Sequence, residues 1–132
     1  YLLKVDLGDE IWKKHVFAGL KKYFSKEDLK NRKAVFCVNM KPAKLRGEMS
    51  EAMVLAADDG ENVAILEAEK SNVGDEVCVH GMENSSKEIT FEEFKQTVLY
   101  IKESRVIYDE KKLSSVTEEI KVHGVKEGAR VR

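Results

Sequence analysis

The brevity of the apolar runs, and the regularity with which turn formers close them, constrain this chain most. Leu2 to Leu7 and Ile11 to Phe17 flank Gly8-Asp9-Glu10, and Ala34-Val35-Phe36-Cys37-Val38 stops shortly before Pro42 and Gly47. Ala52 to Ala57 ends at Asp58-Asp59-Gly60, Val63 to Leu66 follows, and Gly74-Asp75 leads into Val77-Cys78-Val79. Segments of this length are strands rather than packed helices, and none approaches the about 20 apolar residues that cross a bilayer. Short strands at this spacing predict a mainly β fold, closed into a small barrel rather than left as an open sheet. The first two runs read as a hairpin, with Trp12 and Val16 on one face of the second strand and Lys13 and His15 on the other. Lys33 to Asn39 lacks alternation, so it reads as a strand buried on both faces. Met40 to Met49 holds the only proline and reads as a long loop.

Two helix starts stand out. Ser25-Lys26-Glu27-Asp28 and Thr90-Phe91-Glu92-Glu93 both have a hydroxyl at the N-cap and a carboxylate three residues later, the pattern of a capping box. After the second, Phe91, Phe94, Val98 and Ile101 recur at helical spacing, which predicts a helix from Thr90 to Ser104 with one apolar packing stripe. Arg105 to Tyr108 reads as a strand, and Glu119 to Val122 with Val125 as another, turning at His123-Gly124. Lys126 to Arg132 reads as a loose basic tail. There is no internal repeat, and the polar bridge Glu83 to Lys87 is too short and glycine-free to be a flexible linker.

A length of 132 residues suits one core with a small appendage. The net charge is −1, from 23 basic and 24 acidic residues, but the distribution is uneven. Lys30 to Gly47 contains Lys30, Arg32, Lys33, Lys41, Lys44 and Arg46 and no acid, whereas Glu48 to Glu76 is acidic with the single base Lys70. A chain neutral in sum can therefore present a positive face. No signal peptide is apparent, so a soluble, cytoplasmic location away from membranes is expected. Cys37 and Cys78 each sit within an apolar run, as expected of buried, reduced thiols.

Catalytic machinery is absent from the pattern. His15, His80 and His123 lie too far apart for a helical zinc pair, and there is no phosphate-cradling glycine loop, serine elbow or recognisable cysteine nucleophile. The sequence predicts a non-enzyme without metal or cofactor. Its informative stretch runs from Asn39 to Met53. Lys41, Lys44 and Arg46, two or three residues apart in a loop stiffened by Pro42, can project to one side toward a chain of phosphates at little ordering cost. Asn39 and Ser50 offer neutral donors and acceptors to base edges or, equally, to nearby backbone.

These residues carry a resemblance. Val5-Asp6-Leu7-Gly8, then Ala18-Gly19-Leu20 leading to Tyr23-Phe24-Ser25, then Lys41-Pro42-Ala43-Lys44-Leu45-Arg46-Gly47 with Ser50-Glu51-Ala52-Met53, resemble the tRNA-binding domain family. That family includes stand-alone tRNA-binding proteins, methionyl-tRNA synthetase C-terminal domains and the endothelial monocyte-activating polypeptide II group. The resemblance implies a five-stranded oligonucleotide-binding (OB-fold) barrel over residues 1–82. It further implies a C-terminal α/β extension of the polypeptide II type over residues 83–132, packed on the barrel. It implies that Asn39, Lys41, Lys44, Arg46, Ser50 and Met53 face RNA. Ala52 stands where the family usually has glycine. Family members also carry a strand before the one at Leu2, so the sequence is expected to be a truncated form.

The implied function is non-catalytic tRNA binding, directed by shape and phosphates, as an appendage of or assembly cofactor for an aminoacyl-tRNA synthetase in protein synthesis. Two other readings stand beside it. One is a protein-interaction or signalling module of a synthetase complex. The other is a general single-strand binder, which Trp12, Phe17, Tyr23 and Phe36 support poorly because they lie in apolar runs.

Overall fold

The computed structural model of the chain describes residues 2–8, 13–17, 23–45 and 47–132. The expected hairpin forms from β1 (Leu2–Asp6) and β2 (Lys13–Phe17), antiparallel, with Leu2 opposite Phe17 and Asp6 opposite Lys13. Val16 is buried, as the alternation requires, while Ile11 and Trp12 lie outside the described residues. Just past β1, Gly8 at φ +88° passes Gly74 so closely that a Cβ on Gly8 would sit 2.7 Å from the Gly74 Cα. Two backbones can cross at that distance only where a side chain is missing. Helix α1 (Lys26–Leu29) opens with the expected capping box: the Asp28 N–H donates to Ser25 Oγ and the Ser25 N–H to Asp28 Oδ2.

Strand β3 (Phe36–Cys37) is shorter than the expected 33–39, but the missing alternation has the expected cause. Val35 and Cys37 pack on the main core, while Ala34 and Phe36 pack on a second cluster built on Val54 and Ile65. The supposed loop of residues 40–49 is instead mostly a hairpin. Strands β4 (Ala43–Leu45) and β5 (Glu48–Ser50) pair antiparallel, with Gly47 at φ +83° in their connection. Turn chemistry sets this pairing; lysines and the proline hide any apolar period.

The run 52–57 divides into β6 (Met53–Val54) and β7 (Ala56–Asp58). Between them, the Leu55 N–H donates to Val35 O and Leu55 O accepts from Leu66 N–H, both at 3.0 Å. Strands β8 (Val63–Ile65) and β9 (Cys78–Val79) fall where the sequence placed them. Helix α2 opens with its capping box between Thr90 and Glu93 but spans only Phe91–Lys95. The expected stripe to Ser104 does not exist as a helix face. Phe94 is buried, but Phe91 and Val98 are 48% and 47% exposed, and Ile101 lies in β10 (Tyr100–Lys102). Pairing on both edges of that strand overrides local helical periodicity. Strand β11 (Arg105–Tyr108) matches expectation, and β12 (Lys111–Ser114) follows it. Of the strand expected at 119–122, isolated bridges at Glu119 and Lys121 remain.

The basic tail is a further correction. Its end is β13 (Arg130–Val131), inserted between β7 and β10, with Ala129 and Val131 buried. Alternate residues point inward, so the chain end completes a sheet rather than fraying. The described strands form one seven-stranded sheet in the order β8-β7-β13-β10-β11-β12-β9 and three two-stranded sheets, β1-β2, β3-β6 and β4-β5. The architecture is mainly β, and the paired ladders do not close into a barrel. Single hydrogen bonds join them instead, such as Val35 N–H to Leu66 O at 2.9 Å. One main core runs from Val35 and Leu66 through Phe94 and Ile101 to Ile120 and Val131.

Candidate nucleic-acid interface

Of the cations singled out by the sequence, Lys44 lies in β4 of the β4–β5 hairpin and Lys41 two residues before that strand. Lys41 and Lys44 are exposed, and neither is in an ion pair among the described residues. Two other bases of the same run are engaged within the chain: Arg32 pairs with Glu67 and donates to Asp28 O, and Lys33 Nζ donates to Ser71 O at 2.9 Å, while Lys30 is exposed. Lys41 and Lys44 are thus free to meet an external anion without first breaking an internal bond. Arg46 lies outside the described residues. Directly opposite Lys44 is Met49, 53% exposed. Cross-strand partners share a face, so an ammonium stands beside an exposed thioether. Sequence reasoning missed Met49 because a lone methionine in a charged stretch has no periodic signal.

The neutral residues have partners within the chain. Ser50 is buried and its hydroxyl donates to Ala52 O at 3.1 Å. Ala52, at the position where the resembled family prefers glycine, is itself buried. Met53 is half-buried against the main core. Asn39 is used on both sides of its amide: Oδ1 accepts from Cys37 Sγ at 3.4 Å, and Nδ2 donates to Lys87 O at 2.7 Å and Ser85 O at 3.4 Å. The structure therefore leaves Lys41 and Lys44 exposed, the first just before the hairpin and the second on it. Asn39, Ser50 and Met53 lie at its base, as parts of its support.

The segment from Ser85 to Ile89 holds the chain just before the hairpin. Met40 bridges Ile89 in parallel, the Lys41 N–H donates to Ile89 O at 2.8 Å, and the Ile89 N–H donates to Asn39 O at 2.9 Å. Residues more than forty positions apart form this seam, and no local sequence signal announces it. A second seam joins the same two parts of the chain. The buried Ser71 hydroxyl donates to Glu118 Oε2 at 2.7 Å and lies 2.7 Å from Ser115 Oγ.

Asp59 accepts from the backbone N–H groups of Glu61, Asn62 and Lys126, and these bonds pull its carboxyl down to about 2. Stabilising the charged form by hydrogen bonding has this sign. Both thiols are free and half-buried rather than fully buried, and burial pushes the Cys37 thiol up against the opposing effect of Asn39. Among the described residues no cluster of three or more His, Cys, Asp or Glu side chains could hold a metal ion. No described helix is long and apolar enough to cross a membrane.

Exposed lysines on and beside a short hairpin, carried by a mainly β scaffold, are what the described part of this segment presents. The chain belongs to the family described as "Putative tRNA binding domain", which matches residues 1–76. Among known proteins it is similar to the methionine-tRNA ligase of Thermococcus onnurineus, 57% identical over 70 residues, covering 53% of this chain and 9% of that enzyme. The methionine-tRNA ligase of Pyrococcus abyssi is 54% identical over 70 residues, with the same coverage. The chain thus spans about a tenth of the length of these relatives. Among solved structures, the C-terminal domain of Plasmodium vivax p43 superposes with a TM-score of 0.84 at 25% identity. The match covers 100% of this chain and 84% of that one.

Proposed function

We propose that the chain is a non-catalytic module that captures tRNA by shape and phosphate contact. It acts as an appendage of, or assembly cofactor for, an aminoacyl-tRNA synthetase of methionyl or tyrosyl type. The observation that carries this reading is the pair Lys41 and Lys44, exposed beside and on a hairpin without internal counter-ions among the described residues, within the family-matched segment. Lys41, Lys44 and Arg46 neutralise phosphates, while Asn39, Ser50 and Met53 hold the surface in shape. Residues 1–82 act as the oligonucleotide-binding part and residues 83–132 as the extension packed on it; the shared core supports a single cooperative unit. A tethered module of modest affinity raises the local concentration of tRNA near its catalytic partner. The site of action would be the cytoplasm, with translation.

The test is a gel-shift titration of folded tRNA against a single strand of equal length, at two salt concentrations. It compares the wild type with Lys41→Ala/Lys44→Ala/Arg46→Ala. For every phosphate that the variant no longer neutralises, the plot of log affinity against log salt should flatten by about 0.7 to 0.9. The weakening should be uniform across tRNA species. Unchanged affinity and slope in the triple variant would remove the proposal, and preference for the single strand would favour general strand binding.

A further inference from the structure

The cationic surface does not end with the family-matched segment. Lys87 belongs to the extension, 11 residues beyond the matched range of 1–76, yet it is pinned beside the hairpin. Both of its backbone groups are tied: its N–H donates to Ser85 Oγ at 3.1 Å, and its C=O accepts from Asn39 Nδ2 at 2.7 Å. Its side chain is exposed and in no ion pair among the described residues. Fixing a long, solvent-exposed cation by its backbone has an entropic cost that a purely solvated lysine would not need.

The register gives the spacing. Met40 bridges Ile89 in parallel, which sets Lys41 beside Thr90 and places Lys87 three residues before that point. Lys87 itself sits at a bend, and its carbonyl is held against the Asn39 side chain, two residues before Lys41. Two flexible ammonium groups on these adjoining segments can follow one sugar-phosphate track.

We infer that Lys87 of the extension is an RNA-phosphate contact continuous with Lys41 and Lys44, and that Asn39 is the positioning residue that holds it there. This rests on the tRNA-binding reading above. It gives the extension a direct share in binding and assigns Asn39 to a protein carbonyl rather than a base edge. Glu88 and Glu83 are the nearest acids in sequence, both exposed. Neither pairs with Lys87 among the described residues.

The experiment uses the full 132-residue chain and two different tRNA transcripts, with affinity followed by fluorescence anisotropy across a salt series. Lys87→Ala should weaken both tRNAs alike and reduce the salt slope by about 1, the signature of one phosphate left without its cation. Lys87→Arg should restore both. Lys126→Ala removes the same charge beside Asp59 and Glu61 and should leave the slope as it was. Asn39→Asp is isosteric but cannot donate to the Lys87 carbonyl; it should lower affinity, and much less so in a Lys87→Ala background. If Lys41→Ala/Lys44→Ala weakens binding while Lys87→Ala matches the wild type in affinity and slope, the inference is wrong and the tRNA-binding reading stands. If the wild-type chain ignores tRNA at low salt, both fall. Equal reductions from Asn39→Asp in the two backgrounds would overturn the positioning role, and thermal melts of each variant distinguish unfolding from weakened RNA binding.

Discussion

Val131→Ala is the sharpest test of how this fold is completed. Val131 is 3% exposed in a strand clamped on both sides. Its N–H donates to Leu99 O at 3.0 Å, Arg132 N–H donates to Ala56 O at 2.9 Å, and Ile101 N–H donates to Ala129 O at 2.9 Å. With both neighbouring strands held by these bonds, the site has little freedom to collapse around a smaller side chain. Two carbons leave the core, which costs about 1.6 kcal/mol at about 0.8 kcal/mol for each methylene equivalent. The unrelaxed cavity adds about another 1 kcal/mol, for a loss of about 2 to 3 kcal/mol. For a chain of this length about 4 °C of melting temperature corresponds to each kcal/mol, so the midpoint should fall by about 8 to 12 °C. The assay is thermal unfolding followed by circular dichroism, with Arg130→Ala as the exposed control on the same strand. That control should change stability by about 0.5 kcal/mol or less. A fall in the Val131→Ala midpoint of less than about 2 °C, equal to the control, would mean that the chain end is a tail after all.

Gly8→Ala should destabilise by about 2 to 4 kcal/mol, from a positive φ and a Cβ driven to 2.7 Å from the Gly74 backbone; denaturant titration reads it, and a neutral result would deny the crossing. Asp59 has a carboxyl pulled down from 3.8 to about 2, so its contribution to stability is complete above pH 3.8 and is lost as pH falls through about 2. The acid-unfolding curve of Asp59→Asn should therefore lack that component between those pH values, and superposition on the wild-type curve would contradict it. Ser71→Ala should cost about 1 to 3 kcal/mol, because it strips a buried donor from Glu118. In a double-mutant cycle with Ser115→Ala the two effects should couple; strict additivity would deny the seam between the two parts of the chain.

Local chemistry made part of this molecule legible in advance. Both capping boxes form as read, because a hydroxyl and a carboxylate three residues apart satisfy the same helix end wherever the helix sits. The first hairpin was legible for a similar reason, with apolar residues alternating across a short connection. The stretch from Thr97 to Lys102 was not: Val98 and Ile101 fit a helical stripe, and only strands on both sides of Tyr100–Lys102 make it extended. Nor was Ala129 to Arg132. Its alternation of buried and exposed residues is too brief, and too mixed with arginine, to outweigh the reading of a basic tail.

The candidate site divides along the same line. The amino-acid sequence alone determined the basic run that holds Lys41, Lys44 and Arg46, and the family to which the segment belongs, because residue type and spacing are local properties of a chain. Tertiary structure decided that Asn39 spends its amide on the Lys87 and Ser85 carbonyls, that Ser50 turns inward, and that Met49 stands exposed beside Lys44. It also decided that the last strand lies between β7 and β10. Strand pairing and side-chain burial depend on partners brought from distant positions, and their free energy belongs to the pair rather than to either segment.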